Sequence, residues 1–261
     1  MSRKDMSKQD ADHFFDLEYF FELSPDLLCI AGYDGYFKKI NPAVSKTLGY
    51  TPEELMAKPI NSFVHPEDQK LTASKRDLIR KNIPLLNFDN RYITKNGDIV
   101  WLTWTSMPIE SEQVVFAIAK NITYRKKLEE YHRISALLSP HDKKENSGGA
   151  DLIYSPADQA WLSEFEMLVR KLTGKIDLNI RRLSNELAMS ERQLFRRIKH
   201  IMGITPNQYV RAIRLRMAME AIEHGKCRTV SEIAYIAGFD TPAYFSKIFK
   251  EVYGVEVTTL I

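Results

Sequence analysis

The chain has 261 residues, 44% hydrophobic and 27% charged, with a formal net charge of +3. That length suits one large domain or two ordinary ones, the apolar fraction suffices for real cores, and no run nears the roughly 20 apolar residues of a membrane span. Cys29 and Cys227 make no disulfide framework and suit a reducing, cytoplasmic setting, and the polar start MSRKDMSKQDADHFF lacks a signal-peptide core.

In chain order, residues 1–13 are expected to form a flexible tail. LLCIAGYDGYFKKI holds two apolar runs joined by Asp34-Gly35, a strong hairpin signal. TPEELMAK opens a helix, with Thr51 as cap, Pro52 at the first position and Glu54 completing a capping box. LTASKRDLIRKN predicts a second helix. Three strand-like runs follow, FDNRYIT, IVWLTWTSMPI and QVVFAIAKNI, the first two separated by Asn96-Gly97. Two strands, short helices and three more strands predict an α+β domain on an antiparallel sheet of five strands. Trp101 and Trp104 stand at odd spacing on one strand and should face opposite sides of it.

From about residue 14 to 123, SPDLLCIAGYDGYFKKINPAVSKTLGYTPEEL, FVHPEDQ, RYITKNGDIVWLTWTSMPI and AIAKNITYRKKLEE occur in an order that resembles a PAS domain. The resemblance implies a sensory or dimerisation module whose sheet and helices enclose a small ligand in some members, its identity here unspecified. His65 matches a common loop pattern of that family and is expected to cap or brace rather than bind haem. MAKPINSFVHPED holds no cysteine, which disfavours a light sensor working through a cysteinyl adduct. Residues 124–138 carry Leu128, Tyr131, Ile134 (or Ser135) and Leu138 at spacings of three to four. That stripe suits a helix that pairs with a copy of itself in a homodimer, or one folded back on its own domain.

Residues 139–157 mix Pro, Gly, Ser and charges without apolar periodicity and are expected to link two domains. From 158 to 261 the chain is predicted all-helical, with breaks mostly at Gly174, Gly203, Gly225 and Gly238. From Asp158 onward 16 Lys/Arg stand against 12 Asp/Glu, and between Arg181 and Arg216 nine Lys/Arg meet only Glu186 and Glu191. The positive charge is local, as a polyanion partner requires.

Within this half, SERQLFRRIKHIMG recurs 51 residues later as TPAYFSKIFKEVYG. Leu194, Ile198 and Ile201 share the buried face of the first copy, and Arg192, Phe195, Arg196 and Lys199 the opposite one. The second copy buries Phe245, Phe249 and Val252 and exposes Ala243, Ser246, Lys247 and Lys250. Each follows a short helix, IRRLSNELA or VSEIAYIAG, across a tight turn, which makes two helix-turn-helices. The 18 residues from Pro206 to Glu223 form a connector of roughly 27 Å, near the roughly 34 Å between successive major grooves on one face of B-DNA.

LSNELAMSERQLFRRIKHIMGITPNQYVRAIRLRMAMEAI with TVSEIAYIAGFDTPAYFSKIFKEVYGV resembles the DNA-binding domain of AraC-type transcription regulators, over about residues 160–256. The resemblance implies binding to double-stranded promoter DNA and contact with RNA polymerase. Its base-facing positions fall on Arg192, Phe195 and Arg196, and on Pro242, Ala243, Ser246 and Lys247. Lys199, Lys247 and Lys250 sit towards the far ends of the helices and suit phosphates. That family continues after the last glycine with Ser-Pro and a short Tyr/Arg helix, whereas this chain reads VEVTTLI, which puts the packing behind the second helix-turn-helix in doubt.

No phosphate loop, G-x-S-x-G or H-E-x-x-H occurs, and His224 with Cys227 makes a poor zinc site, so neither enzyme, metal nor evident cofactor is expected. The expectation is a multi-domain, cytoplasmic transcription regulator, with no membrane association. The alternative is a PAS-mediated dimeric signalling adaptor or phosphorelay partner without a ligand.

Overall fold

The computed structural model describes residues 17–138, 155–174, 178–225 and 227–261. The expected tail lies outside them, as does all but the end of the expected linker. The chain separates into two compact units, the first ending at Lys126 and the second starting at Lys127.

In the first unit a short helix α1 (17–23) precedes the hairpin of β1 (Leu27–Gly32) and β2 (Phe37–Ile40). Helices α2 (Pro42–Leu48), α3 (Pro52–Met56) and α4 (Pro66–Arg80) follow, then β3 (Leu85–Ile93), β4 (Ile99–Ile109) and β5 (Val114–Asn121). All pairings are antiparallel, in the order β2-β1-β5-β4-β3. Helix α3 starts as its sequence predicts, for Thr51 and Glu54 close a reciprocal capping box. Helix α4 starts five residues earlier than its apolar periodicity suggests. His65 caps it, with Nδ1 accepting from the Glu67 amide, and Pro66 takes the first position, so a polar first turn precedes Leu71.

Trp101 and Trp104 face opposite sides of β4. Trp104 is buried and its indole donates to Asn90 Oδ1 at 3.0 Å. Trp101 lies under the cations of Arg91 and Lys126, 5.5 and 5.2 Å from its ring centre. A clamp from α4 holds β3: Asp68 accepts from the Arg91 amide and from its guanidinium at 2.8 and 2.6 Å, and these bonds hold the Asp68 carboxyl below the usual aspartate range.

The second unit is helical. Helix α5 (Thr123–Leu138) begins at the unit boundary and is followed by α6 (Pro156–Leu172), α7 (Ile180–Glu186), α8 (Glu191–Met202), α9 (Pro206–Glu223), α10 (Val230–Ile236) and α11 (Pro242–Tyr253). The connector has the bounds its sequence predicts, with Thr205 and Gln208 forming its capping box. It is buried on more than one face. Ala212, Leu215 and Ala218 are as buried as Tyr209 and Ile213, because helices cover α9 on more than one side. The predicted stripe of α5 is likewise buried: Leu128, Tyr131 and Ile134 are at most 1% exposed. Tyr131 meets the edge of Tyr209, which stacks on Phe165 of α6, both at 5.4 Å between ring centres.

Asn41 ties the start of the first unit together. Its Oδ1 accepts from the Leu28 amide at 3.0 Å, and its Nδ2 donates to the carbonyls of Asp26, Phe21 and Ser24. The residue is 1% exposed, so truncation strands buried partners. Asn41→Ala is expected to destabilise the first unit by about 2–3 kcal/mol in chemical unfolding, whereas a change under about 0.5 kcal/mol would show that the side chain is dispensable.

Candidate nucleic-acid interface

The geometry of each helix-turn-helix is set by its caps. Ser190 caps α8, accepting from the Gln193 amide while Gln193 returns a bond to the Ser190 amide, the capping box its sequence predicts. Thr241 caps α11 by accepting from the Tyr244 amide, and Pro242 occupies the first helical position. Both helices end on a left-handed glycine, Gly203 and Gly254.

The preceding turns are near copies. The Met189 amide donates to the Ser184 carbonyl at 2.9 Å, and the Phe239 amide to the Ala234 carbonyl at 2.8 Å. These bonds are 50 residues apart in sequence but the caps are 51 apart, so the second turn holds one more residue, Asp240. The left-handed residue of the turn is Gly238 in the second copy and Ala188 in the first, at φ +74° and +51°. A Cβ at Gly238 would meet Thr173 Cγ2 at 2.7 Å.

Helix α8 buries Leu194, Ile198, Ile201 and Met202 and exposes Arg192, Phe195, Arg196 and Lys199. Phe195 is 47% exposed and does not pack away beneath a neighbouring helix. Neither Arg192 nor Arg196 has an ion-pair partner among the described residues. Arg197, from the same basic run, is turned the other way and lies 4.2 Å over the Trp161 ring of α6. Lys199 donates to the Gly203 carbonyl at 2.9 Å. On α11, Pro242, Ala243 and Lys247 are exposed and Ser246 is half-buried. The buried face includes Ile248 besides the expected Phe245, Phe249 and Val252. Lys250 pairs with Glu256, whereas Lys247 has no ion-pair partner among the described residues. The final VEVTTLI packs behind α11: Val257 is 1% exposed in a short 3-10 turn.

Two features escaped the sequence. A polar recess of about 240 Å³ is bounded by α7, α9 and the start of α11, with Asn207, Arg211 and Arg214 on one stripe of α9 facing Asn179 and Asp240. Their i, i+4, i+7 spacing was the available signal. The other feature is Glu166, a carboxylate 2% exposed on α6. It accepts from Tyr131 at 2.8 Å and pairs with Lys127 and Arg170 at 2.7 Å each. Arg170 continues to Glu220 at 2.7 Å, which also meets Arg216, and Arg216 reaches Glu130 at 3.3 Å. Burial pushes the Glu220 carboxyl up, but Arg170 and Arg216 more than offset this and hold it below the usual glutamate range. Burial and the Glu166 charge push the Tyr131 hydroxyl well above its ordinary value, so it donates as a neutral phenol. Nothing in one-dimensional spacing joins these helices.

Two family matches bracket this architecture. The PAS fold matches residues 37–121 and a helix-turn-helix domain matches residues 183–260. The chain thus carries a PAS domain followed by a helix-turn-helix domain, and the latter is of the AraC type. Relatives include histidine kinase P4 of Formosa agariphila, 31% identical over 39% of this chain and 7% of that protein. The probable transcriptional regulator LumQ of Photobacterium leiognathi is 32% identical over 31% of this chain and 32% of its own length. The HTH-type transcriptional activator RhaS of Escherichia coli is 31% identical over 28% of this chain and 26% of its own. The chain therefore spans about a third or less of each of these relatives. No described helix is long and apolar enough to cross a membrane.

The turns yield a paired prediction. Ala188→Gly removes a side chain from a left-handed position and should stabilise the second unit by about 1 kcal/mol, while Gly238→Ala should cost about 2 kcal/mol or more. Thermal unfolding of the two variants checks this, and equal shifts of the same sign would contradict the geometry.

Proposed function

We propose that this chain is a sequence-specific transcriptional regulator in which residues 14–123 sense a signal or dimerise, 158–261 bind promoter DNA, and 139–157 link them. The observation that carries the proposal is the doubled helix-turn-helix. Two capped helices follow near-identical turns, and both present cations without ion-pair partners among the described residues. Such a repeat suits entry of α8 and α11 into successive major grooves of one duplex.

In this account Arg192 and Arg196 make bidentate contacts to guanine, worth roughly 1–3 kcal/mol of discrimination each. Phe195 covers a thymine methyl. Lys199 and Lys250 meet phosphates, Lys250 after leaving Glu256. Pro242 and Ala243 offer no side-chain donors, so α11, through Ser246 and Lys247, adds more affinity than sequence discrimination. In this account Arg211 and Asn207, in the recess bounded by α7, α9 and the start of α11, meet the intervening phosphates.

Regulation would act through residues 124–138. Pairing of that helix with a copy of itself in a homodimer competes with burial of Leu128, Tyr131 and Ile134 in the second unit. A signal at the first unit that favours pairing would free that face and change how two DNA-binding units, and the RNA polymerase beside them, are arranged. The protein carries out no chemistry in this account.

Selection from random duplexes, followed by salt titration, tests the proposal. A bipartite site should enrich, and Arg192→Ala with Arg196→Ala should weaken it at least tenfold and relax preference in one half only. Failure of any sequence to enrich, with residual binding that is salt-dependent and indifferent to those arginines, would overturn it.

A further inference from the structure

The first unit holds a partly open cavity that DNA binding does not use. It measures about 90 Å³ and lies between α4 and the inner face of the sheet, with apolar walls that include Phe37, Ile60, Ile79 and Val115. Its polar side is organised beforehand. Asn90 donates to Thr72 Oγ1 at 3.0 Å and accepts from the Trp104 indole at 3.0 Å, so these three lining residues satisfy one another.

Two lining donors are left over. Arg76 enters from α4 and has no carboxylate partner among the described residues, unlike Arg80 one turn on, which is held by Asp77 and the Tyr33 carbonyl. The Tyr33 hydroxyl is buried with no hydrogen-bond partner. The Arg76 charge is felt inside, at both the Cys29 thiol and the Tyr92 hydroxyl. Burial pushes each of these up to about 12, so both stay neutral near pH 7 and neither supplies a counter-charge. An arginine met inside by the neutral Tyr92 hydroxyl rather than by a counter-charge, and a Tyr33 phenol without a partner, match a carboxylate, whose two oxygens suit the guanidinium fork.

Size narrows the class. A dry apolar cavity of roughly 150 Å³ accommodates benzene, with six heavy atoms. By that measure the enclosed volume takes about four, and its open side leaves room for one or two more. We propose that this cavity binds a short-chain monocarboxylate of two to four carbons, its carboxylate on Arg76 and the Tyr33 hydroxyl and its alkyl end against the apolar wall. This deepens the sensor half of the proposed function and does not depend on the DNA-binding half.

The test uses the full chain, with propionate as probe and propionamide as its neutral isostere, at ionic strength matched with sodium chloride. Trp104 lines the cavity, so binding reads out as a saturable change in tryptophan fluorescence and as a rise in melting temperature. Propionate should saturate, propionamide should bind at least tenfold more weakly, and Arg76→Gln should remove the difference between them. Should that variant fold poorly, Tyr33→Phe serves instead and should weaken propionate severalfold. Equal binding of acid and amide by the unaltered chain would overturn the carboxylate assignment and leave a sensor of another ligand. No saturable response to any straight-chain acid of two to four carbons would overturn the proposal and count against sensing by the first unit, while duplex selection still judges the DNA-binding half.

Discussion

The second unit is organised around one buried charge. Glu166 sits almost fully enclosed on α6, and a carboxylate removed from water is tolerated only where donors replace the lost hydration. Three do so, from two helices: Lys127 and Tyr131 of α5 and Arg170 of α6 itself. Arg170 and Arg216 then bracket Glu220 on α9. A hydrophobic contact tolerates sliding, whereas this chain of ion pairs is satisfied in one register only. Its consequence is positional: α9, the element from which both helix-turn-helices hang, is fixed relative to α5 and α6.

With α9 held, the two reading helices become a matched pair. Each is started by a side-chain cap, stopped by a left-handed glycine and preceded by a turn with the same backbone bond. The extra Asp240 lengthens the second turn by one residue, and the close approach of Gly238 to Thr173 seats it against the end of α6. The two readers are nonetheless chemically unequal. Helix α8 offers two arginines without ion-pair partners among the described residues, while α11 begins with Pro242 and Ala243 and keeps one of its lysines on Glu256. In the proposed reading, specificity is therefore concentrated in the first half and affinity shared between both. The ion-pair network also places Glu130 and Tyr131 where a change in α5 is felt by the helix that spaces the readers. That is a physical route for regulation which needs no distant signalling path.

Much of this was legible in sequence, for reasons that differ between elements. The hairpins were announced by Asp34-Gly35 and Asn96-Gly97, and α3 and α8 by capping boxes, because these signals act over three or four residues. The repeated buried faces of α8 and α11 emerged from periodicity alone. The start of α4 did not, since its first turn is polar and its cap is a histidine. The stripe on 124–138 was visible, but not what covers it: burial by α6 and α9 is a tertiary fact, set by Glu166, which in sequence is one more acid in a helical face. Arg197, in the same basic run but off the exposed stripe, lies over Trp161, a contact that spacing does not announce. Likewise Arg76, solvent-like in sequence, turns out to line a cavity. A charge's role depends on which face neighbours leave open, and one-dimensional patterns do not contain that.

In the proposed function, two helices of one chain read one duplex as a rigid pair. Inserting base pairs between the two halves of an enriched site tests it most directly. Five added base pairs rotate the halves by about half a turn of B-DNA, which α9, fixed by its ion pairs, cannot follow. The account predicts that affinity falls to that of a single half-site, at least about tenfold weaker, a loss of roughly 1.4 kcal/mol or more. Affinity that survives the insertion, with both halves still protected from hydroxyl-radical cleavage, would contradict it.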